Sequence, residues 1–145
     1  MCIRDRFYTE KCKGLSVRTS SGDVNALYGA KDSSGYADSG DDLFCDGQAG
    51  ILGVVADANF AENRRLYLYS SSTKYYGDGC KTNFEKCDGN IVMRFTVSDD
   101  LTSVSDRTDI VTDIQYKPFE SDQPFGGPGA HNGGCLLYTS DAADE

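Results

Sequence analysis

The chain has 145 residues, a formal net charge of −9 and 39% hydrophobic residues, with 16 glycines, three prolines and no tryptophan. The negative charge disfavours binding to nucleic acid or to an anionic membrane surface, because both are themselves negatively charged. No apolar run approaches the ~18 residues of a membrane-spanning helix, and the glycine content is typical of a globular, turn-rich chain.

The two ends of the chain differ in character from the middle. Residues 1–6 and 135–145 have the character of translated sequencing-adapter read-through rather than of protein. Such segments are set aside in fold reasoning in the same way as expression tags. We therefore expect residues 1–6 and 135–145 to be artefacts and residues 7–134 to form the genuine region. The alternative is that both ends are genuine termini.

The first third of the chain contains short strand-like segments separated by turn residues. Residues 7–17 hold the end of one strand and the start of another, with Gly14 at the turn, and residues 24–28 form a short strand. Residues 31–42 are rich in Asp, Ser and Gly. Carboxylates of this kind bind calcium, but the spacing of an EF-hand is absent, which favours a solvated loop.

The most informative stretch is residues 46–72. It begins with a glycine-flanked loop, and residues 51–56 and 66–69 are short runs that are almost wholly apolar. Runs of this length that are apolar on both faces are typical of strands covered on both sides. Residues 57–63 between them are rich in Asp and Asn, which favour turns. We therefore expect the two strands to pair antiparallel.

The second half of the chain contains two alternating segments. In residues 91–97 every second residue is apolar, and residues 108–115 alternate again, with Ile110, Thr112 and Ile114 predicted to share one face. A period of two predicts strands with one buried face. No segment has a sustained helical period, so the sequence predicts an all-β fold: a sandwich, a barrel or a propeller.

Four cysteines lie outside the two suspect ends: Cys12, Cys45, Cys80 and Cys87. An even number in a loop-rich chain favours disulfides and an oxidising compartment. Of the three possible pairings, we favour a short loop closed by Cys80 and Cys87 within the insertion 73–90, which leaves Cys12 to pair with Cys45. The alternatives are free buried thiols, and a zinc site, which the lack of a CxxC spacing disfavours.

Two motifs carry a resemblance to a known family. The first is a loop, a strand, a turn and a second strand: Gly47-Gln48-Ala49-Gly50, Ile51-Leu52-Gly53-Val54, Asn59-Phe60 and Leu66-Tyr67-Leu68-Tyr69. The second, much later in the chain, is His131-Asn132-Gly133-Gly134. In this order they resemble the soluble sugar dehydrogenases that use pyrroloquinoline quinone (PQQ), the glucose/sorbosone dehydrogenase family.

The chain also departs from that family in two places. The turn Asp57-Ala58-Asn59-Phe60 stands where the family usually has a version that contains proline. In the family, the HNGG-like motif continues into an apolar strand and a Gly-Pro-Asp turn, whereas here it runs into the suspect segment 135–145.

The resemblance implies a six-bladed β-propeller, of which this chain is a fragment comprising the first one to two blades. It also implies that Gln48 hydrogen-bonds the PQQ cofactor and that His131 is the general base. His131 is the only histidine of the chain, and imidazole is well matched to proton uptake at pH 7. The ligands of the family's structural Ca²⁺, and most residues that hold the quinone, are expected outside this chain. From the residues alone, Gln48 and His131 are also compatible with ordinary turn positions.

The function implied by the resemblance is that of a periplasmic or secreted dehydrogenase. Such a parent protein oxidises an aldose sugar to its lactone and passes the electrons to an acceptor, with no nucleic acid and no membrane span involved. The alternative is a non-catalytic extracellular propeller that binds signalling proteins, like the Hedgehog-interacting relatives, which share the fold. Because a truncated propeller leaves blade faces and sheet edges open, we expect the fragment by itself to be inactive and poorly stable.

Export of the parent protein predicts a disulfide between Cys80 and Cys87. Mass spectrometry of a non-reduced proteolytic digest should show the two cysteines joined, and reduction should separate them. Detection of both as free thiols in the secreted protein would remove the main support for export.

Overall fold

The computed structural model describes residues 5–30, 33–36, 39–45, 48–75 and 88–115. Within these ranges lie eight strands and one short helix, in the order β1 Arg6–Glu10, β2 Gly14–Arg18, β3 Val24–Ala30, β4 Ser39–Gly40, β5 Ile51–Ala56, α1 Phe60–Asn63, β6 Arg65–Ser71, β7 Asp88–Val97 and β8 Val104–Gln115. In this part of the chain no helix has the length and apolar character needed to span a membrane. The predicted all-β class is confirmed.

The strands form two four-stranded sheets. In the first, β1, β2 and β3 are antiparallel neighbours, and the two-residue β4 pairs in parallel with β3. In the second, β5, β6, β7 and β8 form an antiparallel meander in which each strand pairs with the next. A four-stranded antiparallel sheet of this kind has the form of one propeller blade.

The predicted strands are found close to their predicted positions. Residues 51–56 form β5, and β5 pairs antiparallel with β6 as expected from the turn residues between them. β6 and β7 are longer than predicted, because their ladder continues without a break from Arg65 paired with Thr96 to Ser71 paired with Asn90. The prediction that Gly14 lies in the first turn is wrong, because Gly14 is the first residue of β2.

The two sheets share one hydrophobic core. Its buried side chains come from both sheets and include Leu15, Val17, Leu27, Leu66, Leu68, Met93 and Phe95. Tyr28 of β3 packs on Phe95 of β7, with ring centroids 4.7 Å apart. Since burial of such side chains is the main stabilising contribution to folding, the first sheet is held on the second by side-chain packing.

The prediction that both apolar strands are covered on both sides holds for β6 and is wrong for β5. In β6 the side chains from Leu66 to Ser71 are buried except for Tyr67, which is half-buried. In β5 only Ile51 is buried and the other residues are half-buried. The difference follows from position, because β6 lies between two strands whereas β5 is the first strand of its sheet.

The strand β8 departs furthest from its predicted pattern. Its ladder with β7 passes directly from Val111 to Asp109 and leaves Ile110 unpaired, as in a β-bulge. Ile110 is therefore 44% exposed, while Thr112 and Ile114 are half-buried. The prediction that these three residues share one face is wrong for Ile110. The extra residue instead turns Asp109 inward.

Gly50 occupies a close approach between the two sheets. Its φ is +152°, and an added Cβ would lie 2.5 Å from the carbonyl oxygen of Lys11, in the turn after β1. The same carbonyl accepts a hydrogen bond from the N–H of Ile51 at 2.9 Å. Only glycine allows both the backbone conformation and the short distance.

Gly50→Ala is expected to lower the free energy of unfolding by roughly 1–3 kcal/mol, because the methyl group overpacks this contact. Gly22→Ala is the matched control: its φ of +101° is also positive, but nothing lies within 4 Å of the added Cβ. Urea unfolding of both variants, in the protein that contains this chain, should show the larger loss for Gly50→Ala. Equal losses would mean that backbone strain, and not the contact with Lys11, causes the loss in the free energy of unfolding.

Candidate functional site

One end of the second sheet lies next to the segment that carries Gln48. Because the four strands are successively antiparallel, the start of β5, the end of β6, the start of β7 and the end of β8 lie together. Gln48 precedes β5 at this end, and the chain between Ser71 and Asp88 joins β6 to β7 there. The chain also leaves β8 at this end, after Gln115, towards His131 in the sequence. We call this the Gln48 end of the sheet.

Gln48 lies on the surface, but the backbone directly after it is buried. Its side chain is exposed on a turn, whereas Ala49 is 0% exposed and Gly50 is also buried. The N–H of Gly50 donates to Ser71 Oγ at 3.2 Å, and the N–H of Ser71 donates to the carbonyl of Gly50 at 2.9 Å. An exposed amide is thus attached to a backbone that the end of β6 holds in place.

A buried chain of polar groups continues from this contact across the sheet. Ser71 Oγ donates to Asn90 Oδ1 at 2.8 Å, and Asn90 Nδ2 donates to the carbonyl of Gln115 at 2.8 Å. Ser71 is 0% exposed and Asn90 is 1% exposed. Buried polar groups are costly unless they are hydrogen-bonded, so these bonds fix the ends of β6, β7 and β8 relative to the backbone after Gln48.

A disulfide holds the other side of the Gln48 segment. Cys12, in the turn after β1, is bonded to Cys45, with their Cα atoms 5.1 Å apart. The predicted pairing of these two cysteines is confirmed. The predicted partners Cys80 and Cys87 lie outside the described residues.

A largely buried cluster of charged side chains fixes the segment just before Cys45. Arg107 of β8 forms a two-pronged ion pair with Asp42, in which both N–O distances are 2.7 Å. Arg107 Nε also donates to Asp109 Oδ1 at 2.9 Å, and Nη1 donates to the hydroxyl of Tyr28 at 3.1 Å. The planar guanidinium suits several acceptors at once, which a lysine would not. We call these residues and their hydrogen-bonded neighbours the Arg107 cluster.

The Arg107 cluster extends to the start of the insertion. Lys74 Nζ and the Tyr75 hydroxyl donate to Asp109 Oδ2 at 2.6 and 2.8 Å, and the Ser72 hydroxyl donates to Asp42. Strand β3, the segment before β5, the end of β6 and β8 therefore meet at this cluster. The cluster joins the two sheets through the contact between Arg107 and Tyr28, and it reaches the Gln48 end of the sheet at Ser72.

The environment of the cluster keeps its carboxylates ionised. Burial alone would raise the pKa of Asp42, but the hydrogen bonds from Arg107 and Ser72 outweigh it, and the pKa lies below its ordinary value. Burial likewise opposes the bonds from Lys74, Arg107 and Tyr75 to Asp109, whose pKa is also lowered. A carboxylate that is held ionised by several donors is a poor general base at neutral pH. The cluster therefore supports the fold rather than a proton transfer.

The sequence patterns do not predict the Arg107 cluster. The composition of residues 31–42 puts Asp42 only at the end of a solvated loop, and the alternation predicts a strand that begins at Thr108, one residue after Arg107. The available signal was the alternation Arg107-Thr108-Asp109, which puts two opposite charges on the same face of a strand. This alternation indicates that Arg107 and Asp109 can pair with each other, as they do at 2.9 Å, but it does not indicate Asp42.

The structure describes one of the two predicted site residues. Gln48 lies exposed at the Gln48 end, whereas His131 falls outside the described residues, so the distance between them is not part of the structure. Among the described residues, no group of three or more His, Cys, Asp or Glu side chains is arranged to hold a metal ion. Both assigned roles remain predictions.

Comparison with known proteins gives a consistent result. Residues 6–143 match the family model of glucose/sorbosone dehydrogenase. No curated protein sequence matches the chain significantly. The family match covers the loop with Gln48, both sheets and the segment with His131.

Solved sugar dehydrogenases resemble the structure over most of this chain. A crystal structure of glucose dehydrogenase has a TM-score of 0.55 at 19% identity and covers 81% of this chain. A second glucose dehydrogenase has a TM-score of 0.51 at 19% identity over 77% of the chain. The soluble aldose sugar dehydrogenase from Escherichia coli in its apo-form has a TM-score of 0.49 at 25% identity over 77%.

These similarities concern part of a larger fold. The chain spans 28% of the length of the two glucose dehydrogenases and 26% of the length of the E. coli protein. The likeness to the two glucose dehydrogenases shows a shared fold. The predicted fold class, an all-β fragment of a β-propeller, is confirmed.

Acid is expected to weaken the Arg107 cluster. Because the pKa values of Asp42 and Asp109 are lowered in the folded state, their contribution to stability is fully present above the unfolded value of about 4 and is lost as the pH falls below it. Asp42→Asn should therefore be less stable than wild type at pH 7, and should lose less further stability between about pH 5 and pH 3.

The measurement is the urea midpoint as a function of pH, in the protein that contains this chain. Asp113→Asn is the control, since it removes a carboxylate from the exposed side of the same strand and should leave the acid-induced loss unchanged. Parallel pH profiles for wild type and Asp42→Asn would contradict the role given to the ion pair.

Proposed function

Since this chain belongs to the glucose/sorbosone dehydrogenase family, we propose that the protein containing it is a PQQ-dependent aldose dehydrogenase. The proposed reaction oxidises the anomeric CH–OH group of an aldose to a lactone. The observation that supports it most directly is the attachment of Gln48, an exposed amide on a backbone that Ser71 and Lys11 hold in place. This is the arrangement expected of a residue that contacts a bound cofactor.

The described residues fit such a cofactor at one contact. PQQ carries carboxylate and quinone oxygens, which accept hydrogen bonds, and a glutamine amide offers two N–H donors. Gln48 is exposed and precedes β5 at an end of the sheet. The remaining contacts, and the ligands of Ca²⁺, are expected from parts of the protein outside this chain.

The chemistry divides between the cofactor and this chain. A bound PQQ would supply a two-electron acceptor for the hydride of the anomeric carbon. We assign His131 the task of taking up the hydroxyl proton on a neutral ring nitrogen, because an imidazole can accept a proton near pH 7. Gln48 would help to hold the cofactor through a hydrogen bond from its amide, and the complete reaction would need an external electron acceptor.

The disulfide supports an exported protein. Cys12 and Cys45 are bonded in the structure, and disulfides persist mainly in oxidising compartments such as the periplasm or the extracellular space. An aldose in that space is a substrate that the enzyme reaches without transport. The proposed location is therefore periplasmic or secreted.

Two variants of the full-length protein, loaded with PQQ and Ca²⁺, separate the proposed roles. His131→Ala should lower kcat for aldose oxidation by about 10²–10⁴-fold, the usual contribution of a general base, with little change in the Kd for PQQ. Gln48→Ala should raise the Kd for PQQ by about three- to tenfold, the worth of one hydrogen bond. Turnover is measured with an artificial electron acceptor and PQQ binding by calorimetry.

Glu62→Gln is the control for both variants. Glu62 is exposed on α1, between β5 and β6, at the opposite end of the sheet from Gln48. It should change neither kcat nor the Kd for PQQ. A folded full-length protein that binds no PQQ would contradict the enzyme proposal and favour the extracellular binding module.

A further inference from the structure

The loop that carries Gln48 begins and ends on the same residue of β6. The N–H of Phe44, before the loop, donates to the carbonyl of Ser71 at 3.3 Å. After the loop, Gly50 exchanges hydrogen bonds with Ser71: its N–H donates to Ser71 Oγ and its carbonyl accepts from the Ser71 N–H. One residue therefore holds both ends of the loop that presents Gln48.

The hydroxyl of Ser71 has a role that its backbone cannot fill. It is buried, it accepts the Gly50 N–H, and it donates its own proton to Asn90 Oδ1 at 2.8 Å. Asn90 is fixed in turn by its bond to the carbonyl of Gln115, at the end of β8. The hydroxyl thus connects the backbone two residues after Gln48 to the central strands of the sheet.

We propose that Ser71 is a positioning residue, whose hydroxyl fixes the backbone after Gln48 so that the Gln48 amide meets the cofactor in one orientation. The inference rests on the proposed function for its consequence in cofactor binding, but the contact itself is present without any cofactor. A held backbone lowers the entropy that Gln48 loses on binding, and that loss otherwise weakens the affinity.

The neighbouring serine supplies a matched control. Ser70 is also 0% exposed, but its hydroxyl donates to the carbonyl of Ser71 at 3.2 Å and makes no described contact with the loop. Ser70→Ala and Ser71→Ala therefore remove the same group from the same strand at the same burial. Only Ser71→Ala removes an acceptor from the backbone after Gln48.

The first measurement is amide hydrogen exchange of the full-length protein without cofactor. In wild type, the Gly50 amide should exchange slowly, with the amides of the sheet rather than with those of surface turns. Ser71→Ala should speed exchange at Gly50 by about tenfold or more relative to Ser70→Ala. Fast exchange of the Gly50 amide in wild type, or equal exchange in the two variants, would overturn the proposal. The wild-type result decides even if Ser71→Ala fails to fold.

The second measurement is a double-mutant cycle on the Kd for PQQ. Ser71→Ala should raise this Kd about three- to tenfold in the wild-type background and leave it within about twofold when Gln48→Ala is already present. The same increase in both backgrounds would show that Ser71 does not act through Gln48 and would overturn the positioning role. Wild type that binds no PQQ would refute the proposed function. The role of Ser71 in fixing the backbone after Gln48 would then be decided by hydrogen exchange alone.

Discussion

The structure depends on the attachment of one short segment to the end of β6. Residues 42–45 and 48–50 lie in sequence between the first sheet and the first strand of the second, and Leu43, Ala49 and Gly50 among them are buried. Several of their hydrogen bonds go to the end of β6: Phe44 and Gly50 bond to Ser71, the N–H of Thr73 donates to Asp42, and Leu43 forms a bridge with Ser72. Because unpaired buried peptide groups are costly, this attachment fixes how the two sheets meet and where Gln48 stands.

Electrostatics reinforces the same attachment. Arg107 and Asp42 are only 21% and 19% exposed, so both lose much of their hydration on folding. Such a pair repays that loss only when its geometry is good and its other hydrogen bonds are made. Both conditions are met here, because the pair is two-pronged and Tyr28, Ser72 and Asp109 complete it. The cluster thus connects β8 of the second sheet to β3 of the first sheet and to the segment before β5.

The bulge at Ile110 makes this arrangement possible. In a strand without the bulge, Arg107 and Asp109 would share a face with Val111 and Asp113. Thr112 and Ile114 would then lie on the opposite face from the two charged residues. The extra residue allows Arg107 and Asp109 to lie on the half-buried side of β8, where Arg107 reaches Tyr28 of the first sheet, while Ile114 near the end of the strand is also half-buried. Ile110 itself becomes exposed, which is the local cost of directing charged side chains towards Asp42.

Local sequence patterns determined the strands and much of their order. The apolar run 51–56, the Asp- and Asn-rich turn after it and the alternation in 91–97 each describe neighbours along the chain, where side-chain period and turn chemistry act directly. The resemblance of the two motifs pointed to the family that residues 6–143 match. The Cys12–Cys45 pairing also followed from the sequence, once Cys80 and Cys87 were assigned to each other.

Only the tertiary structure decided which distant groups meet. Asp42 and Arg107 are 65 positions apart, and nothing in either local pattern specifies the other. The bulge at Ile110 depends on pairing with β7, and the half-buried state of β5 depends on its place at the end of a sheet. The same holds for Ser71, which a sequence shows only as one serine among three, whereas its contacts with Phe44, Gly50 and Asn90 arise when separate segments fold against one another. Period and turn chemistry act between neighbours in sequence, while hydrogen bonds and ion pairs between segments depend on register and packing, which the whole chain sets together.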